Sequence, residues 1–157
     1  MPNVKNKKAL GIDYGLKRIG LSLSDDTQTI AFPLKYILND SVKKTVSELK
    51  TVIEEENVGL LVIGMPIGLK GKKTEISTEI EKFIEILKDG LKEKIEEGLE
   101  VKIYDERFSS AQAQRSLIEQ NIKRNKRKEK IDSIASTFVL QSYLDKQKNI
   151  IEKKISE

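Results

Sequence analysis

Three acidic residues stand where an α/β sheet would gather its chemistry. Asp13 falls at the end of the apolar run Ala9–Tyr14, Glu106 follows the run Leu99–Tyr104, and Asp132 opens the last stretch of helical periodicity. Crowded carboxylates repel one another, and a hard divalent ion bound by their oxygens relieves that repulsion. Each acid also has a structural reading of equal standing. Asp13 suits the turn at Tyr14-Gly15, since Asp bonds its own turn backbone. Glu106 can pair with Arg107 or a lysine, and Asp132 can cap a helix or favour its amino end. Taken singly, the three residues do not choose between these readings.

What is missing narrows the chemistry further. The chain has neither Cys nor His, which excludes disulfides, thiolate nucleophiles, Cys- or His-ligated metals and a Ser-His-Asp triad. Acid–base or metal chemistry must then use carboxylates, Lys, Tyr, hydroxyls or water. Oxygen-only ligands favour magnesium or manganese. Ser109 and Ser110 have no partner base and suit the cap of a following helix rather than a nucleophile.

The cations cluster beside the acids. Lys17 and Arg18 follow Asp13, and Arg107 follows Glu106. Lys123, Arg124, Lys126, Arg127, Lys128 and Lys130 precede Asp132. Lys70, Lys72 and Lys73 sit in a Gly-rich loop whose amides can face phosphate, although a solvated connection accounts for that loop equally well. A net charge of +4 permits a polyanionic partner without requiring one. Lys and Arg contacts to phosphate would supply affinity for nucleic acid. Aromatic residues are only 5% of the chain, too few for a broad stacking platform, which points to recognition by shape and phosphate. Tyr14 is the one aromatic close to the acids in sequence, and it can stack a base or pack into the core.

Elements that would position these residues follow from periodicity. Ala9–Tyr14, Ile19–Ser24 and Ile30–Ile37 read as strands of an antiparallel meander, with Pro33 marking an edge or a bulge. Asp40 or Ser41 caps a helix whose face is Val42, Val46, Leu49, Val52 and Ile53. Val58–Gly64 reads as a central strand covered on both sides, and Met65–Lys73 as a loop. Ile76, Ile80, Phe83, Ile84, Leu87 and Leu91 stripe a second helix, and Leu99–Tyr104 is another strand. A helix to about Ile122, a basic loop over about 122–130, and a last helix from about Lys130 to Gln147 complete the order. The tail over 149–157 is expected to fray. The 157 residues, 38% of them hydrophobic, suffice for one domain spanning 1–157. No apolar run reaches the length of a membrane span, and none follows the basic start as a signal peptide requires. The expected location is cytoplasmic, without a membrane partner.

Several motifs in order carry a resemblance. They are G-I-D-Y-G at 11–15 with R-I-G-L-S at 18–22; G-M-P at 64–66 with Gly68 and Gly71; D-E-R-F-S-S at 105–110; and K-I-D-S-I-A-S at 130–136 leading to L-Q-S-Y-L-D at 140–145. Together they resemble the YqgF/RuvX family, described both as Holliday-junction resolvases and as pre-16S rRNA nucleases. The resemblance implies a ribonuclease H-like α/β fold: a five-stranded mixed sheet, three strands antiparallel and the others parallel, with helices on both faces. It implies a hydrolase with Asp13, Glu106 and Asp132 as catalytic metal ligands for Mg2+ or Mn2+. In a two-metal site, one ion activates water and the other stabilises the leaving oxygen. It further implies 5'-end processing of precursor 16S rRNA in ribosome biogenesis, or resolution of branched DNA, by a monomer or weak homodimer. RuvC-type sites carry a further Asp one turn beyond the last-helix acid. Ala135 stands there in this chain, as Ala usually does in the YqgF family, which leaves the number of metals open. Two rivals remain. The G-I-D-x-G opening also resembles the first phosphate loop of sugar kinases and actin-like ATPases, but this chain is too short for their two domains and lacks their second glycine-rich loop. A non-catalytic module that binds nucleic acid or the ribosome would use the same cations.

Overall fold

Alternation in the first forty residues makes a three-stranded meander, and two later apolar runs extend it. A computed structural model describes residues 7–66, 75–106 and 124–156. At Pro66, Glu75, Ile76, Asp105, Glu106, 124–133, 152, 153, 155 and 156 it describes the backbone alone. Strands β1 (Lys8–Asp13), β2 (Arg18–Ser24) and β3 (Ala31–Leu38) pair antiparallel, while β4 (Val58–Pro66) and β5 (Glu100–Glu106) run parallel to β1. The order across the sheet is β3-β2-β1-β4-β5, a mixed sheet as expected. Pro33 lies on the edge strand, where no ladder donor is required of it. Lys35 pairs with Leu21 and Pro33 with Ser22, so Leu34 is an extra residue and forms a bulge.

Helices cover both faces. On one face α1 (Val42–Glu55), α2 (Glu75–Gly90) and the short α3 (Lys92–Glu96) bury Leu49, Ile53, Ile80, Phe83 and Leu87 against Leu10, Ile12, Ile19, Leu21, Leu61 and Ile63. Ser41, rather than Asp40, caps α1, its Oγ accepting from the Lys44 amide. On the other face α4 (Arg124–Ser156) packs Val139, Leu140 and Leu144 against Ala9, Leu60 and Val62. Cover on both sides explains the unbroken apolar run of β4.

The long helix departs from the sequence reading at both ends. The basic run was expected as a loop over 122–130, and the chain was expected to fray after Asn149; instead α4 runs from Arg124 to Ser156. Neither segment contains Gly or Pro, and Lys, Arg, Glu and Gln are good helix formers, so local propensity outweighs the repulsion among the cations. At 33 residues the helix is about 50 Å long. A nine-residue strand such as β4 spans only about 30 Å, so the helix overhangs the sheet. The helix expected over 109–122 lies outside the described residues.

Contact between α4 and the sheet is polar and unusually close. Ser22 is fully buried, as is Ser136. The Ser22 hydroxyl donates to the Ser136 carbonyl at 2.9 Å, and the two hydroxyl oxygens are also 2.9 Å apart, so Ser136 can donate in return. Gly11 leaves room for this approach. A Cβ there would lie 2.9 Å from Leu140 Cβ and 3.2 Å from the Ser136 carbonyl, and would overlap Ser22 Oγ. Ser22 and Ser24 therefore do not face water, as the half-buried reading of β2 expected, but lie under α4. Farther along, Gln141 Oε1 accepts from the Ala31 amide at 2.8 Å, its Nε2 donates to the Thr29 carbonyl at 3.0 Å, and α4 is thereby fastened to the start of β3.

The β2–β3 turn is organised by one carboxylate. Asp25 Oδ1 accepts from the amides of Thr29 at 2.8 Å and Ile30 at 3.0 Å, and Oδ2 accepts from the Thr27 hydroxyl. Burial works to raise this carboxyl, but the bonds from Thr27, Ile30 and Thr29 outweigh it and bring the pKa from 3.8 to about 2.

Two predictions follow from this packing. Gly11→Ala should cost about 1–3 kcal/mol by overpacking. Ser22→Ala should cost about 1–3 kcal/mol by leaving the Ser136 hydroxyl without its partner. Both should appear as a lower urea midpoint with an unchanged m-value, and an unchanged midpoint in either would show that α4 does not sit this close. For Asp25 the folded pKa is depressed, so its stabilisation is complete above the unfolded value of about 3.8 and is lost as pH falls through about 2. Asp25→Asn should therefore flatten the fall of Tm over that acid window. Parallel Tm–pH curves for parent and variant would contradict the assignment.

Candidate metal and nucleic-acid site

Because β1, β4 and β5 are parallel, their carboxyl ends share one edge of the sheet. Asp13 is the last residue of β1 and Glu106 the last of β5, with β4 between them. Two strand spacings, about 10 Å, separate β1 from β5. Strand alternation sets the face. Leu10 and Ile12 enter the core under α1 and α2, whereas Ala9 and Gly11 meet α4. Asp13 continues the second set, at a half-buried position. On β5, Tyr104 meets Tyr143 of α4 edge to face, with ring centroids 5.8 Å apart. Position 106 shares its register parity with 104.

Helix α4 brings the third acid to the same edge. Ser136 and Leu140 meet β1 at Gly11. Toward its carboxyl end the helix lines a cleft of about 560 Å³ with Leu60 and Glu100, near the starts of β4 and β5, so it runs opposite to β1. Position 132 precedes Ser136 by one turn, about 6 Å along the axis. From Gly11 to Asp13 the strand advances by about the same distance. Positions 13, 106 and 132 thus occupy one face and one edge of the sheet. Among the described residues no group of three acids close enough to hold a metal is formed, and the side chains of Glu106 and Asp132 are not among those described. Ala135, where RuvC-type sites have an acid, is buried.

The cations divide. Lys17 is exposed in the β1–β2 loop, which Asn39 closes by donating from Nδ2 to the Gly15 carbonyl and from its amide to the Lys17 carbonyl, both at 2.9 Å. Arg18 opens β2 on the α4 face, and its guanidinium carbon lies 5.1 Å from the centre of the Tyr36 ring. Arg124, Lys126, Arg127, Lys128 and Lys130 fall in the first two turns of α4, directly before Asp132. Lys70, Lys72, Lys73, Arg107 and Lys123 lie outside the described residues. Tyr14, open to two readings in the sequence, packs its ring 4.9 Å from that of Phe83 in the α2 core, away from the face of Asp13.

Sequence reasoning did not single out the residues that fasten α4 to the sheet. Ser22, Ser136 and Gln141 entered it only as letters of the motifs, because a serine or glutamine at an inward position looks like an outward polar one, and Tyr36 drew no attention. The available signal was Gly11 opposite Ser22 in the β1–β2 register, two small residues on a face that a helix must cover.

Comparison with known proteins agrees with this architecture. The family model RuvX, described as Holliday junction resolvase, matches residues 7–146. A protein of Sulfurihydrogenibium sp. (strain YO3AOP1), named "Putative pre-16S rRNA nuclease", is 41% identical over 88% of this chain and 90% of its own. One of the same name from Thermoanaerobacter pseudethanolicus is 38% identical over 90% of this chain and 99% of its own. Among solved structures, T. thermophilus RuvC in complex with a Holliday junction substrate superposes with a TM-score of 0.58 at 13% identity, covering 91% of this chain and 96% of that one. The fowlpox virus resolvase with Holliday junction DNA gives 0.52 at 15% identity, covering 89% and 98%. At such identities these two establish the ribonuclease H-like fold alone. With motifs, sheet order and family model in agreement over most of its length, the chain belongs to the RuvX family.

Proposed function

We propose that the chain is a divalent-metal-dependent nuclease that hydrolyses phosphodiester bonds in precursor 16S rRNA. Asp13, Glu106 and Asp132 are its metal-holding carboxylates and Mg2+ or Mn2+ its ion. The observation that carries the reading is the convergence of positions 13, 106 and 132 on one face and edge of the sheet. The donor chemistry fits a hard ion, since the chain has no His or Cys and offers oxygen ligands only. When bound, such an ion lowers the pKa of water and neutralises charge on the departing oxygen. The chain's own part is to hold its acids close without collapse and to orient the backbone of the substrate. Lys17, Arg18 and the cations of α4's first turns, together with Lys70, Lys72, Lys73, Arg107 and Lys123, supply phosphate contacts. Cutting one RNA strand needs one site, so a monomer suffices, whereas symmetric cutting of a four-way junction needs a paired site. No helix among the described residues is long and apolar enough to cross a membrane.

The test uses purified full-length chain with Mg2+ or Mn2+ on a precursor 16S fragment and, side by side, on a four-way DNA junction. Asp13→Asn, Glu106→Gln and Asp132→Asn should each lose at least about 100-fold in cleavage rate, more than outer-shell changes usually cost, while RNA affinity is kept. Cleavage of the junction but not the precursor would reassign the substrate, and undiminished cutting by all three variants would remove the site.

Metal binding to the folded state has its own signature. Mg2+ or Mn2+ should raise the Tm of the parent and leave that of Asp132→Asn unmoved. Equal shifts in both proteins would place the ion elsewhere.

A further inference from the structure

Cover by α4 stops one strand short of the sheet's edge. Val62 of β4 is fully buried beneath the helix, yet Lys102, its partner on β5, is exposed. Positions 100, 102, 104 and 106 alternate onto the α4 face, because Val101 packs against the opposite core and Tyr104 meets Tyr143 of α4. A groove therefore runs down β5 from the acid edge, with the strand as one wall and the flank of α4 as the other.

One ring bridges the two walls. Tyr104 stands two residues before position 106, and its hydroxyl oxygen lies 2.9 Å from the Ser142 hydroxyl of α4. Held there and by the edge of Tyr143, the Tyr104 ring has Lys146 Nζ over it, 5.7 Å from the centroid. An ammonium seated on an aromatic face keeps its charge and presents its outer donors to water. Lys146 and Lys102 are both exposed, and neither forms an ion pair among the described residues.

Two cations thus face one groove from opposite walls. Lys102 lies four residues, about 13 Å of strand, from position 106. Farther down the charge changes sign. Glu100 and Asp145 line the cleft near the starts of β4 and β5, and carboxylates there repel phosphate.

We propose that this groove receives the RNA strand on one side of the cut, with Lys102 and Lys146 as its phosphate contacts and Tyr104 as the positioning residue that holds Lys146 over it. The strand turns out to solvent before Glu100. The proposal rests on the nuclease reading above and adds to it a path for the substrate, along β5.

The test is metal-free binding of a labelled single-stranded precursor 16S fragment by the full chain in EDTA, with Kd measured over a range of salt. Lys102→Gln and Lys146→Gln should each weaken binding and reduce the slope of log Kd against log salt by about 0.7, the loss of one phosphate contact on a single strand. The double variant should lose about twice that. Lys154→Gln removes an exposed cation from the far end of α4 and should leave the slope unchanged. Tyr104→Leu should lower the slope as Lys146→Gln does and add nothing in a Lys146→Gln background, while Tyr104→Phe keeps both ring and slope. Melting curves establish that each variant is folded, and Tyr104→Met replaces Tyr104→Leu if the latter is not. An unchanged slope in either lysine variant overturns the proposal. So does an equal fall in Lys154→Gln, since overall charge would then account for binding. A parental slope in Tyr104→Leu overturns the positioning role. A chain with the expected slopes that cuts nothing defeats the nuclease reading and leaves the groove. A chain that cuts RNA with slopes indifferent to both lysines defeats the groove only. A parent that binds no RNA defeats both.

Discussion

The structure depends on how closely α4 approaches β1. At Gly11 the absence of a side chain lets the helix settle onto the sheet, and the buried hydroxyls of Ser22 and Ser136 satisfy each other in the gap. A polar contact with no access to water is costly unless complete, so the helix has little freedom to slide or rotate there. That fixed point sets where the helix's earlier turn falls. One turn before Ser136 is position 132, level with the end of β1. A wider Leu- or Val-lined contact would hold the helix farther off and in a less determined register. The same contact carries the opposite half of α4 over the starts of β4 and β5, where Gln141 and Tyr143 meet β3 and β5.

Much of this was legible in the sequence, for identifiable reasons. Strands buried on both faces, such as Val58–Ile63, announce themselves by unbroken apolar runs, and α1 and α2 by their stripes. Pro33 was readable as an edge or bulge, and it lies on the edge strand beside the bulge at Leu34. Asp13 and Glu106 were readable because each ends a strand, whereas position 132, expected to open the last helix, lies inside α4 because that helix starts earlier, at Arg124. Tyr36 and Ser22 were not, since their significance comes from neighbours in space: Arg18 across the β2–β3 ladder, and Ser136, 114 positions away in the chain. The basic run misled because clustered charge resembles a solvated loop. In fact Lys and Arg are good helix formers, and α4 is already anchored through Ser136 and Gln141, so the helix extends backward through them at little cost.

The ring of Tyr36 on the outer strand seats Arg18, whose guanidinium carbon lies 5.1 Å from its centroid. Tyr14, nearer in sequence, cannot do this because its ring is committed to Phe83 in the other core. Two tyrosines close to the same edge thus serve opposite faces, a division that follows from strand parity alone.

The separation of Ser22 from Ser136 also bears on how the chain is made. As the protein leaves the ribosome, β1 and β2 emerge well before the helix that covers one face of them, whose Ser136 follows Ser22 by 114 residues. Until then Ala9, Leu60, Val62 and the two inward serines have no cover on that side, and β1 awaits β4 as its parallel neighbour. Closing such distant contacts is slow. An incomplete copy released early would have a sheet with one face bare and would lack position 132 altogether. Synthesis through α4 is therefore a checkpoint for folding: the cover for Ala9, Leu60 and Val62 and the position of the last proposed acid arrive on the same helix.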